Sequence, residues 1–212
     1  MKIYLVRHGE SEKNAGESGL GDNLTKIGVE QAKRLGLFLK DKHIDHAYCS
    51  HLSRAKETLK NIMEFMKKVP VTYTKEVSEI HTGVYEDKTQ RELEDFRRES
   101  LKKGMHFAEI KPDMGESLLD LEKRAQNFLE SIKNNHKNKD HILIVSHSGY
   151  IRVLTLRLLK LPLKEIIYFK IHNASLSTFE LDKKFNVTDF EIDDFKHLLK
   201  YSSYEREVVE KI

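Results

Sequence analysis

The chain has no tryptophan, one cysteine, three prolines and ten glycines, and each shortage excludes a class of protein. A lone Cys49 can form neither an internal disulfide nor a cysteine cage for zinc, so a reducing, cytoplasmic setting is expected. Proline and glycine are too sparse for a collagenous or low-complexity chain. No apolar stretch reaches the ~18 residues of a membrane helix, and the first apolar run stops at Arg7 and His8, too short for a signal-peptide core. An excess of one charge is also missing. The 37 Lys and Arg against 34 Asp and Glu leave a net charge of +3, scattered along the chain, so neither nucleic acid nor a membrane is expected as a partner. The 212 residues, 39% hydrophobic and 33% charged, suffice for the core of a single domain spanning 1–212.

KIYLV at 2–6 predicts a short strand whose tip carries Arg7-His8-Gly9. Beyond the loop GESGLGDN, Thr25 caps a predicted helix to about 42, with Ile27, Ala32, Leu35, Phe38 and Leu39 inward and Gly28 and Gly36 allowing close packing. HAYC at 46–49 reads as a strand, followed by a helix over 52–67 with Arg54 in its first turn, then a brief strand near 70–74. The charged stretch 79–116, with a helix over 88–103 offering only Leu93, Phe96 and Leu101 to bury, reads as a partly helical lid insertion. Ser117 and Asp120 form a capping box for a helix to about 134. HILIV at 141–145 lacks alternation, as a central parallel strand does, and ends in Ser146-His147-Ser148-Gly149 before an apolar helix over 150–160. Strands are predicted over 166–171, 175–181 and 186–192.

Arg7, His8 and His147 therefore lie at strand tips and Arg54 opens the helix after a third strand, so all four converge on the edge where α/β sheets bind ligands. Two imidazoles and two guanidiniums together suit a dianion. The order LVRHGESEKN (5–14), LTKIGVEQA (24–32), SHLSRAKET (50–58), SEIHTGVYED (78–87), GES (115–117), VSHSGYIR (145–152) and NASLSTFEL (173–181) resembles the histidine phosphatase superfamily, the phosphoglycerate mutase-like proteins. The resemblance implies a three-layer α/β/α sandwich around a mostly parallel sheet. It also implies a histidine-type acid phosphatase or mutase-like phosphotransfer enzyme, acting on a small phosphorylated substrate.

Carried over position by position, the resemblance makes His8 the nucleophile that holds the phosphoryl group as a phosphoramidate. Arg7, Arg54 and His147 meet the phosphoryl oxygens, and Glu79 cycles between acid and base. Asn14 and the backbone N–H of Ser148 are secondary phosphate contacts, the latter at a helix N-terminus. No metal and no cofactor are called for. Glu79 rests on the motif, because any of the 34 acidic residues could otherwise be a solvated carboxylate. His81, His106 and His172 read as surface or structural histidines before pocket-lining ones, and Arg97, Arg98, Lys102 and Lys103 as a solvated helix face, with attraction of an anionic substrate on a lid as the alternative. Where the family often has Gly-Gly this chain has Ser148-Gly149, and where it often has Pro it has His51. A phosphatase releasing the group to water is the first reading, since 80–111 does not look like the longer insertion of the cofactor-dependent mutases. A phosphoglycerate mutase and a non-catalytic phosphate sensor are the alternatives. Oligomeric state and the particular phosphoester stay open.

Overall fold

A computed structural model describes residues 1–13 in full, the backbone of 14 and 15, and residues 22–198. In chain order the elements are β1 (Lys2–Arg7), α1 (Glu12–Ala15), α2 (Lys26–Leu39), β2 (His46–Ser50), α3 (Ser53–Met63), β3 (Val71–Thr74), α4 (Gln90–Lys102), α5 (Leu118–Asn135), β4 (His141–Ser146), α6 (Ser148–Leu159), β5 (Leu176–Leu181) and β6 (Val187–Asp194). The strands form one six-stranded sheet in the order β3-β2-β4-β1-β5-β6. The pairs β3-β2, β2-β4 and β4-β1 are parallel, and β1-β5 and β5-β6 are antiparallel.

Alternation along the central strands supplies both faces of the sheet. Ile3 and Leu5 of β1, with Ile142 and Ile144 of β4, join Leu121, Phe128 and Ile132 of α5 and Ile151 and Leu154 of α6 in one core. Tyr4, Val6, Leu143 and Val145 face the other way, against Leu35 and Leu39 of α2 and Leu59 and Ile62 of α3. This is the α/β/α sandwich expected from the sequence. The chain leaving β1 turns to the α2 face and the chain leaving β4 turns to the α6 face. A crevice therefore opens at their C-terminal ends, where such sheets receive ligands. The parallel register sets Arg7 beside Ser146, so His8 and His147 leave their strands side by side.

Several local expectations are corrected. The run 166–171 does not form a strand. Pro162 leads into a 3-10 helix, Leu163–Tyr168, in which Ile166 alone is buried and its carbonyl is taken by the Arg152 guanidinium. Tertiary contacts here outweigh the β propensity of the aliphatic and aromatic residues. Helix α3 ends at Met63, short of 67. Phe38 lies on the exposed side of α2, stacked on His197 with ring centroids 5.4 Å apart, and Leu101 of α4 is exposed. Phe96 instead packs against Tyr85. Both capping predictions hold: Thr25 accepts from Gly28 N, and Ser117 and Asp120 cap each other's backbone.

The loop after His8 is fastened to α2 by bare backbone. A Cβ on Gly28 would fall 2.0 Å from the Glu10 carbonyl oxygen, and one on Gly9 would fall 2.5 Å from the Gly28 carbonyl oxygen. Glu10 N donates to the buried Gln31 Oε1 at 2.8 Å, and Thr25 Oγ donates to Glu10 Oε1 at 2.8 Å. No side chain fits between these backbones without separating them. Gly28→Ala is expected to cost about 3 kcal/mol, a fall of roughly 6–12 °C in Tm for a chain of this size. An unchanged Tm on thermal melting would show that the two segments part freely.

Candidate active site

His8 is 3% exposed and His147 fully buried, with ring centroids 5.1 Å apart. His8 Nδ1–H donates to its neighbour's carbonyl, Gly9 O, at 2.7 Å, which leaves Nε2 as the lone-pair nitrogen. Arg54 Nε donates to that nitrogen at 3.2 Å and to His147 Nδ1 at 3.1 Å. His147 Nε2–H in turn donates to Ser50 Oγ at 2.8 Å. Partners at both nitrogens thus fix each imidazole in one neutral tautomer. Burial first, and then the Arg54 and Arg7 charges, hold His8 well below the ordinary imidazole pKa; burial, with the neighbouring imidazoles and guanidiniums, does the same for His147.

Arg54 sits in the first turn of α3 and its NH1 donates to Asp22. Thr58, one turn on, accepts from Gly9 N at 3.0 Å and donates to the Arg54 carbonyl at 2.7 Å, tying the His8 loop to the helix that carries Arg54. Glu57 accepts from Leu24 N and does not hold the guanidinium. Arg7 donates through NH1 to Ile171 O at 2.6 Å, while its buried Nε has no acceptor among the described residues. Burial opposes the charge on Arg7, and the Glu79 and Asp193 carboxylates sustain it.

Glu79 reaches the same crevice from the loop after β3. Its Oε2 accepts from Gly149 N at 3.1 Å and its Oε1 from Ile80 N at 2.9 Å. A Cβ at position 149 would lie 2.3 Å from Glu79 Oε1, so glycine there is a condition of that approach. The Ser148 that precedes it is the first residue of α6, where a backbone N–H has no partner within the helix. Asn14 lies on α1, and its side chain falls outside the described residues. The candidates Arg7, His8, Arg54, Glu79 and His147 therefore gather at one crevice. Among the described residues no group of three or more His, Cys, Asp or Glu side chains is placed to hold a metal ion.

Arg124 on α5 was not singled out in the sequence, yet it builds the frame of Glu79. Its guanidinium is paired with Glu116 at 2.9 and 2.7 Å. It also donates to the carbonyls of Glu76, Ser78 and Glu79 at 3.0, 2.9 and 3.2 Å. Glu116 accepts from His81 N at 3.0 Å, so the pair grips the chain on both sides of Glu79. His51 accepts at Nδ1 from Ser78 Oγ at 2.8 Å, and Ser78 lies 3.1 Å from Ser50 Oγ, completing a chain from His147 to His51. His172, set aside in the sequence, lines a cleft of about 420 Å³ beside Arg7 and Ser148 and bonds through Nδ1 to Asp193 Oδ2 at 2.5 Å. Asn173 Nδ2 donates to His8 O at 3.1 Å.

Residues 3–191 match the pattern of the histidine phosphatase superfamily (branch 1). The chain belongs to that family. Among curated relatives, an adenosylcobalamin/alpha-ribazole phosphatase of Salmonella typhimurium is 29% identical, covering 87% of this chain and 93% of the relative. Phosphoserine phosphatase 1 of Hydrogenobacter thermophilus is 33% identical over 88% of this chain and 90% of its own. Among solved structures, a putative alpha-ribazole-5'-P phosphatase from Escherichia coli superposes with a TM-score of 0.79 at 25% identity, covering 92% of this chain and 96% of that one. The superfamily fold agrees with the sheet order and the two helical layers seen here.

Two measurements test the site. Arg124→Lys keeps the charge but not the planar fork. It is expected to lower kcat about tenfold to a hundredfold by loosening Glu79, while the inhibition constant of inorganic phosphate stays put; a weakened phosphate site with intact kcat would contradict this placement. Because the folded-state pKa values of His8 and His147 are depressed, their contribution to stability is full above about pH 6.5 and is lost as pH falls and the unfolded chain takes up protons. The urea midpoint is therefore expected to drop between pH 7.5 and 5.5, as the unfolding free energy falls by up to about 1.4 kcal/mol per pH unit for each group. A flat midpoint over that interval would mean that the fold accepts those protons.

Proposed function

We propose that the protein hydrolyses a small phosphomonoester through a phosphohistidine on His8, without a metal ion. The observation that carries this reading is the state of His8: a buried neutral ring, its Nδ1–H committed to Gly9 O and its Nε2 lone pair facing the Arg54 Nε–H that it shares with His147. In the first half-reaction Nε2 attacks phosphorus and the P–O ester bond breaks. The leaving oxygen takes a proton from Glu79, which must be protonated at that moment. In the second, the Glu79 carboxylate removes a proton from water, the oxygen attacks phosphorus, and the P–N bond breaks to return neutral His8 and inorganic phosphate.

The charge on the three phosphoryl oxygens is met by Arg54 and by the Arg7 fork, whose buried Nε–H has no acceptor among the described residues. His147 adds a donor once a proton reaches Nδ1, and the N–H of Ser148 at the start of α6 offers one more. Asn14 is assigned a contact to the same group, following the motif it belongs to. The segment 79–116 serves as a partial cover that limits entry to small esters. The phosphatase names of several relatives support hydrolysis. A phosphoglycerate mutase is the second reading, because one relative at 29% identity, from Parvibaculum lavamentivorans, bears that name.

The test is a brief reaction with a radiolabelled phosphomonoester, quenched in alkali, with chelator present throughout. Label on the wild-type protein, stable to alkali and released by acid, is expected, together with its absence from His8→Ala and a loss of about a thousandfold or more in turnover. Release of phosphate to water rather than transfer to a second hydroxyl separates the phosphatase from the mutase. Turnover that survives in His8→Ala would sink the phosphohistidine route.

A further inference from the structure

His147 rests in one tautomer and has to work in the other. At rest its Nδ1 presents a lone pair to Arg54 Nε–H at 3.1 Å, and its Nε2–H donates to Ser50 Oγ at 2.8 Å. To hold a phosphoryl oxygen, Nδ1 must carry the proton instead. The residue is fully buried, so packing bars an exchange of the two nitrogens by rotation of the ring. A second proton on the ring makes a buried cation, which burial opposes first and then the neighbouring imidazoles and guanidiniums. The remaining route is release of the Nε2 proton, and Ser50 Oγ is the acceptor that meets Nε2 among the described residues.

Beyond Ser50 the way out is continuous. Ser50 Oγ lies 3.1 Å from Ser78 Oγ, which lies 2.8 Å from His51 Nδ1, and both serines are buried. Ser50 Oγ already accepts from His147 Nε2–H and from Leu52 N at 3.3 Å, so its own proton goes to Ser78, and the Ser78 proton to His51. Every bond in the resting line therefore points outward. His51 is partly exposed, and its Nε2 has no protein partner among the described residues, which leaves that end of the imidazole to water. Burial and the charges of Lys75, Lys56 and Arg124 hold His51 below the ordinary imidazole pKa against the pull of Asp22, so Nδ1 keeps the lone pair that ends the line. Position 51 is also where this chain departs from the frequent proline, which has no side-chain nitrogen to accept a proton.

We propose that Ser50, Ser78 and His51 form a proton outlet that switches His147 from its resting to its working tautomer when substrate binds. A phosphomonoester loses its second proton at about pH 6, so a share of it enters as the monoanion. The P–OH of that ester gives its proton to His147 Nδ1. The Nε2 proton passes to Ser50 Oγ, the Ser50 proton to Ser78 Oγ, the Ser78 proton to His51 Nδ1 and the His51 Nε2 proton to water. Each hydroxyl and each ring ends with as many protons as it began with, the ester is now a dianion, and His147 is a neutral donor. Inorganic phosphate departs with the Nδ1 proton, the line runs back, and His51 Nε2 takes one proton from water. The proposal rests on the phosphatase reading and adds Ser78 and His51 to it as positioning residues that act through His147.

The experiment follows phosphate release from phenyl phosphate at about pH 6, where both ionic forms of an ester are present. Ser78→Ala cuts the line and is expected to lower kcat about tenfold to a hundredfold with KM little changed. Ser78→Thr, which keeps a hydroxyl, is expected to restore most of that loss. His51→Gln leaves an acceptor for the Ser78 hydroxyl but cannot pass a proton on, so it is expected to be as slow as His51→Ala. Imidazole added to the solution is expected to raise kcat of His51→Ala and to leave Ser78→Ala unchanged. A wild-type kcat in His51→Gln, a loss in Ser78→Ala that Ser78→Thr does not recover, or a His51→Ala indifferent to imidazole overturns the outlet. Alkali-stable label on wild-type His8 separates the two levels: with label present those results remove the outlet alone, whereas its absence removes the phosphatase reading as well.

Discussion

The Nε–H of Arg54 lies 3.2 Å from His8 Nε2 and 3.1 Å from His147 Nδ1, and both rings must present a lone pair to it. That requirement propagates outward. It obliges His8 Nδ1 to carry the proton given to Gly9 O, and His147 Nε2 to carry the proton given to Ser50 Oγ. Protonating either ring would set an N–H against an N–H, in a place too dry to screen the conflict. Neutrality of the two imidazoles is thus a condition of packing as much as a consequence of burial, and a neutral imidazole is the form in which histidine is nucleophilic.

Holding one N–H between two rings demands accuracy from three separate pieces of chain, and the fold supplies it with rigid parts. His8 and His147 follow paired positions on adjacent parallel strands, so their separation is set by strand spacing. Arg54 is fixed by its place on α3, and Thr58 joins that helix to Gly9 directly. Glycine at 9 and 28 brings the remaining side of the His8 loop against α2 with no side chain between. The least rigid member by origin is Glu79, on a loop. The Glu116–Arg124 pair compensates by bonding its backbone, and Gly149 leaves room for its carboxylate.

Much of this was legible in the sequence because periodicity and motif order are local properties. A short β-prone run marked β1, an apolar run without alternation marked β4, and polar residues at their tips marked the crevice. Thr25, Ser117 and Asp120 marked helix starts that the structure keeps. The misplaced strand over 166–171 came from propensity read without context, since the use of the Ile166 carbonyl by Arg152 is visible only once α6 is packed. Arg124, Asp22 and Asp193 went unnoticed for a related reason. Each is one charged residue among many, and its importance lies in a partner remote in the chain, such as Arg54 for Asp22 or His172 for Asp193. Arg97, half-buried on α4, was assigned to solvent because a helical cluster of basic residues gives no sign of which member turns inward.

The chain of hydroxyls behind His147 has a consequence of its own. His147 Nε2, Ser50 Oγ, Ser78 Oγ and His51 Nδ1 are linked at 2.8, 3.1 and 2.8 Å, and His51 is the partly exposed end. With His51 neutral, donors run outward from His147 to His51. A proton taken up at His51 Nδ1 makes that nitrogen a donor to Ser78 Oγ; because His147 Nε2 already carries its own proton, the two hydroxyls then lie between a donor at each end, and one hydroxyl proton is left without an acceptor in the chain. The line of hydroxyls thus opposes protonation at the rim and leaves the His147 tautomer, with its lone pair toward Arg54, in place.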